Sequence, residues 1–228
     1  MMKKYILFLL LIIPVFIFSQ KKKPRKTDKL VIKPIICTFP EPIKSKEIQE
    51  IKTFQNNLNK EYLDKAETPL RGDNFANFKQ HPFFPIDLKY RVNAKFIKTE
   101  NPKPFDLPTS SGKSKSYQEF GKAIFNLEGK SYTLTIYQSL DLMKMEKYKD
   151  YLFLPFRDET NNKETYGGGK YMDLKIPEGD TIILDFNQSY QPFCAYNAYD
   201  YNCPIVPEQN KLPVEIKAGV MYEDIYHH

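Results

Sequence analysis

Histidine is scarce in this chain of 228 residues: there are three, and His227 and His228 are its last two. That leaves His81, in His81-Pro82-Phe83-Phe84-Pro85, where neighbouring rings favour a packed loop histidine over a catalytic one. A Ser-His-Asp arrangement also lacks a G-x-S-x-G elbow to present its nucleophile. Catalysis built on histidine therefore has almost nothing to use. Cysteine is equally thin, with Cys37, Cys194 and Cys203 only. No cysteine lies near the N-terminus, which excludes lipid attachment at a processed Cys. Cys194 and Cys203 are nine apart, not the close pair of a zinc knuckle, so no metal site is nominated and no cofactor is expected. Glycine is sparse too, and Gly167-Gly168-Gly169 is not followed by the Gly-Lys-Ser/Thr of a phosphate loop.

Long hydrophobic runs are missing as well. The longest, Tyr5 to Phe18, has 14 residues, short of the roughly 20 that span a bilayer as a helix, and Pro14 interrupts it. Lys3 and Lys4 precede this run, and Ser19 and Gln20 follow it. A basic head, a short apolar core and a small residue before a polar switch are the parts of a secretory signal. Residues 1–20 are expected to be a cleaved signal peptide rather than an uncleaved anchor. The mature chain then has no membrane span and is periplasmic or extracellular.

The net charge of +6 suggests nucleic acid until it is located. Two lysines leave with the signal, and seven basic residues fall between Lys21 and Pro34 against one acid, Asp28. From Ile35 onward 25 basic residues face 27 acidic ones. The basicity is a tail, spanning residues 21–44 with its linker, and such a tail is ordinarily solvated. Its expected role is at most a weak contact with an anionic surface. No basic stripe interleaved with aromatics occurs elsewhere, so nucleic acid is not an expected partner.

Residues 45–228 read as one β-rich domain. Ile48, Ile51, Phe54, Leu58 and Tyr62 recur at three- and four-residue spacing, giving one helix from Ser45 to about Lys65, with Ser45 as its cap. Elsewhere the period is two. Tyr90, Val92, Ala94 and Phe96 alternate with polar residues. Ala123, Phe125 and Leu127 lead through Glu128-Gly129 to Tyr132, Leu134 and Ile136, a hairpin. Met172, Leu174 and Ile176 lead through Pro177-Glu178-Gly179-Asp180 to Thr181–Phe186, which reads as a second hairpin. Val214 and Ile216 suggest a last strand, and Asn101 to Lys115 a surface loop. The expected fold is mainly β, an antiparallel barrel or sandwich with one N-terminal helix packed on it.

Polar chemistry concentrates between Pro155 and Asn210. Asp185 shares a strand face with Ile183 beside the apolar run Ile182, Leu184, Phe186, so it is expected to be partly buried and to need a partner. Arg157 is the candidate, since its planar fork grips a carboxylate with two bonds. Asp158, Glu164, Tyr166, Tyr171, Asn187 and Tyr190 complete the candidate ligand-binding set. Asp173 falls on the polar face of its strand and is expected to be solvated. The leading reading is an exported domain binding a small polar or anionic molecule. The alternatives are a hydrolase with Asp158, Glu164 or Asp185 as acid or base, alone or holding a hard metal, and a structural envelope protein. Export to an oxidising compartment also favours a Cys194–Cys203 disulfide, with Cys37 free.

The motifs PFRDET, ETYGGGKYMDL, ILDFN, YQPFCAY, CP and QNKLPVEIKAG, in this order, with Phe84 to Val92 upstream, resemble the bacterial and archaeal family called domain of unknown function 1684. The resemblance spans about residues 45 to 220. It implies no activity, since the family has none established. Where that family usually has Gly-Arg-Tyr this chain has Lys170, a poorer grip if the position holds an anion. The family includes proteins without an obvious export signal. In those, the two cysteines would stay reduced and serve packing or metal binding.

Overall fold

The computed structural model describes residues 41–223 and 225–226, with side chains from residue 46 onward. The expected signal peptide, most of the basic tail and Cys37 lie outside the described residues. The helix α1 runs Glu41–Leu63, starting four residues before Ser45, so Ser45 lies within it and is not its cap. Pro42 suits the first turn, where the backbone N–H has no helical partner anyway. Ile51, Leu58 and Tyr62 are buried along one stripe, and a short helix α2 follows at Gly72–Asn77.

Seven strands follow: β1 Arg91–Lys98, β2 Pro104–Pro108, β3 Ser114–Leu127, β4 Lys130–Ser139, β5 Tyr151–Phe156, β6 Lys170–Lys175 and β7 Thr181–Asp185. They form one antiparallel sheet in the order β6-β5-β4-β3-β1-β7, with β2 added against β3. The expected β3–β4 hairpin is present. Leu127 pairs with Lys130 across Glu128 (φ 51°) and Gly129 (φ 80°), the two positive-φ residues of a type I′ turn.

The expected β6–β7 hairpin does not form. β6 pairs with β5 and β7 with β1, at opposite ends of the strand order. Yet only residues 176–180 join them, and five residues reach at most about 18 Å. The two end strands must therefore lie close, which curls the sheet into a half-barrel. A Pro-Glu-Gly-Asp turn reverses direction but does not choose the partner.

Two more expectations change. The 101–115 segment contains β2, an edge strand with proline at each end, where a missing donor is tolerated. Val214 and Ile216 form no strand: Ile216 is fully buried and Val214 packs against the core, but their backbone is irregular.

The concave face carries the main core: Ala94, Phe125, Leu134, Ile136, Leu152, Leu154, Phe156, Leu184 and Phe186, joined by Leu212, Ile216 and Ala218. β4 and β5 share a single paired position, Tyr137 with Phe153. The gap beside it is filled by a side chain. Asn210 accepts from the Thr135 N–H (2.8 Å) and donates to the carbonyls of Thr135 and Pro155 (2.8 Å each). Pro155 has no N–H to give a ladder, so the Asn210 amide stands in for a short piece of strand.

Candidate functional site

Asp185 is buried, as expected, but its partner is Arg91. The Arg91 guanidinium meets Asp185 at 2.7 Å, Glu50 at 3.0 Å and Glu47 at 3.5 Å, tying α1 to β1 and β7. Asn187 donates to Asp185 Oδ1 (3.0 Å) and to the Asp87 carbonyl (3.0 Å), and its own oxygen accepts from the Asp87 N–H (3.1 Å). Arg157 contributes backbone instead. Its N–H donates to Asn210 and its carbonyl accepts from Leu212. The expected Arg157–Asp185 pairing is thus corrected: the β1–β7 register places Arg91 opposite Asp185, a neighbour that no local pattern reveals.

Asp158 is held in the interior. Lys170 Nζ lies 2.9 Å from Asp158 Oδ2, and neither side chain has any exposed surface. Lys170 also donates to the Ile216 carbonyl at 2.8 Å. Asp158 Oδ1 accepts from the Thr160 N–H (2.8 Å), the Thr160 hydroxyl (2.5 Å) and the Ile216 N–H (3.3 Å). Burial lowers the pKa of Lys170, against the pull of Asp158. The anion gripped at position 170 therefore belongs to the chain itself. Glu164 pairs with Lys217 at 3.2 Å, and the Tyr166 ring packs edge-on to Tyr222. The three carboxylates nominated as acid or base all sit in ion pairs.

Tyr171 and Tyr190 lead elsewhere. On the outer face of the sheet, Tyr117, Phe153 and Tyr171 project from β3, β5 and β6, because period-two alternation turns them away from the core residues between them. The segment from Tyr190 to Pro204 arches over them. Between the two lies a cavity of about 440 Å³. Tyr117, Tyr151, Phe153, Tyr171, Tyr190 and Phe193 wall it. Phe153 meets Tyr171 edge-on at 4.7 Å, and the Tyr171 hydroxyl donates to the Pro204 carbonyl.

Asp173 shares the outward face of β6 with Tyr171 and pairs in register with the wall residue Phe153. Its Oδ1 accepts from the hydroxyls of Tyr151 (2.8 Å) and Tyr190 (2.7 Å). Asp173 keeps accessible surface but is crowded by protein atoms. That desolvation raises its pKa although both tyrosine bonds lower it. Burial also lifts Tyr151, Tyr171 and Tyr190 above the ordinary tyrosine range and Tyr117 to about 12, so these hydroxyls remain donors at neutral pH. Asp173 is exposed, as expected for the polar face of its strand, while its two hydrogen bonds tie it to the wall tyrosines. Its two-residue spacing from Tyr171 was the signal that placed it here.

Cys203 also lines the cavity. The expected disulfide is not formed in this structure: Cys194 and Cys203 are buried thiols, with the Cys194 N–H donating to Cys203 Sγ at 3.2 Å. The hydrogen bond from Cys203 brings the Cys194 thiol down to about 7 and raises its partner. No group of three or more His, Cys, Asp or Glu placed to hold a metal occurs among the described residues. A second hollow, about 580 Å³, lies over Gly167 and Gly168. There the Thr165 hydroxyl is already engaged by Thr160 and Asn161.

A curled antiparallel half-barrel with one N-terminal helix and an aromatic-walled cavity outside its core is the class of protein defined here. The chain belongs to the family described as "Protein of unknown function (DUF1684)", matched over residues 76–221. It is similar to an uncharacterised protein of Haloarcula marismortui solved in solution by NMR, with 30% identity and a TM-score of 0.63, over 82% of this chain and 99% of that one. No curated protein matches it.

Proposed function

We propose that this protein binds a small polar molecule in the cavity between the outer sheet face and the 190–204 arch. The supporting observation is the cavity itself: about 440 Å³, walled mainly by aromatic rings, with Asp173 beside it accepting hydrogen bonds from the wall residues Tyr151 and Tyr190. Concave, largely apolar sites with a few placed polar groups are where small ligands bind. Of the residues nominated from sequence, Tyr171 and Tyr190 serve this reading. Arg157, Asp158, Glu164, Tyr166, Asp185 and Asn187 brace the surrounding fold.

Asn202 lines the cavity, and the Asn202→Trp variant should fill it. In an NMR fragment screen of the mature protein, hits should perturb the rings of Tyr117, Tyr151 and Tyr190. The same hits should lose that effect in Asn202→Trp while the melting temperature stays near the parent's. Hits that map elsewhere, or that bind the blocked variant unchanged, overturn the cavity reading.

We further propose that the chain is exported through residues 1–20 and that Cys194 and Cys203 close to a disulfide in the oxidising compartment. The support is the signal-like N-terminal pattern and the closeness of the two cysteines, the Cys194 backbone N–H donating to Cys203 Sγ. Closing so short a loop stabilises a fold by roughly 2–3 kcal/mol on the chain-entropy estimate. Protein taken from the native envelope should have an intact mass lacking Met1 to Phe18 and two hydrogens. A full-length mass in the membrane fraction, or two thiols that alkylate without reduction, refutes the respective half.

A further inference from the structure

A carboxylate at the edge of the cavity identifies a ligand class, on the reading that the cavity is a ligand site: Asp173 is exposed and adjoins two of the wall tyrosines. Both tyrosine hydroxyls fall on Asp173 Oδ1, while Oδ2 accepts no hydrogen bond and Asp173 has no ion pair among the described residues. Glu61 on α1 lies close enough for its carboxyl to be pushed up by burial, then by Glu67 and Asp173. Neither Glu61 nor Glu67 has an ion pair among the described residues. The region therefore holds carboxylates without a counter-ion. Asp200, also on the wall, differs: Arg71 and Asn197 already engage it. Lys115 is the cation of the wall, and its side chain stands exposed to solvent.

We propose that the cavity takes an organic ammonium ion, its charge held beside Asp173 and its alkyl groups packed on the rings of Tyr117, Tyr151 and Tyr190. Aromatic faces carry negative quadrupole density and attract a cation placed over them, most strongly where water is excluded. The carboxylate supplies the net charge that the rings lack. Two hydroxyl donors on one oxygen fix the carboxylate's orientation and leave the other oxygen for the ligand. An anion at this edge would meet the Asp173 carboxylate, which has no ion pair among the described residues.

Choline and its uncharged isostere 3,3-dimethylbutan-1-ol share a shape and differ in charge, so the pair isolates the cation. With no tryptophan in the chain, tyrosine fluorescence gives the binding signal, and NMR assigns which of the 16 tyrosine rings respond. Choline should bind about tenfold or more tighter than the alcohol, the ratio of a modest cation–π and ion-pair gain. Asp173→Asn keeps an oxygen for both hydroxyls and should abolish that preference. Should that variant fail to fold, the choline-to-alcohol ratio in the parent decides alone. Equal binding of the two probes, or an unchanged preference in Asp173→Asn, overturns the ammonium assignment and leaves the cavity reading standing. Acetate binding in place of choline does the same. If no probe perturbs the cavity tyrosines while the Asn202-blocked screen also finds no hits, both readings fall.

Discussion

Lys170→Met is expected to destabilise the domain by about 3–5 kcal/mol, the cost of leaving one member of a buried ion pair alone. Asp158 would keep its carboxylate in the interior with its Lys170 partner gone, and the Ile216 carbonyl would lose its donor. Urea unfolding at constant m-value is the measurement. The double variant Lys170→Met/Asp158→Leu should recover much of the loss, because a buried pair replaced by packed apolar groups is often neutral or better. A loss below about 1 kcal/mol in the single variant would mean that the pair is not sealed from water, since exposed pairs are worth that little.

Acid should weaken the fold through His81. The ring is 2% exposed, edge-on to Tyr62 at 4.2 Å, and burial lowers its pKa to about 3. An unfolded chain protonates this imidazole near pH 6.5, whereas the folded one stays neutral to about pH 3. Across that window the unfolded state binds the extra proton. Stability contributed by the neutral ring is present above pH 6.5 and falls by about 1.4 kcal/mol per pH unit as the solution is acidified. Asp173 and Glu61 have raised pKa values and work in the opposite sense, gaining stability as pH falls. The comparison is therefore between the parent and His81→Phe, whose ΔG-versus-pH line should be shallower by that amount between pH 6 and 4. Parallel lines would show that the ring is protonated in the folded protein.

Local patterns disclosed the elements that local patterns govern. The apolar stripe from Ile48 to Tyr62 marks α1, and Glu128-Gly129 fixes β3–β4 because a two-residue turn determines both direction and partner. The four-residue turn before β7 fixes direction only; its partner is set by the curl of the sheet, a property of all the strands together. Burial of Asp185 was legible from its apolar neighbours, but Arg91 lies 94 positions away and meets it through strand register. Lys170 reads as an ordinary polar residue until Asp158 and the carbonyls of Ile216 and Ala218 enclose it. The cavity is half legible: composition points to Tyr171 and Tyr190, and alternation correctly leaves Asp173 exposed but does not reveal the tyrosine hydroxyls that converge on it.

The irregular segment from Val206 to Val220 has a consequence for when the chain can fold. It carries Asn210 into the β4–β5 gap, Leu212, Ile216 and Ala218 into the main core, and Val220 against Tyr62 and Tyr196. A nascent chain synthesised as far as residue 200 already contains all seven strands. Its sheet would nevertheless have an unfilled seam, an unroofed core and an ammonium at Lys170 without its carbonyl acceptors. Completion of the strands and closure of the domain are therefore separate steps, and the second waits until the residues around Val220 are free to pack on the sheet.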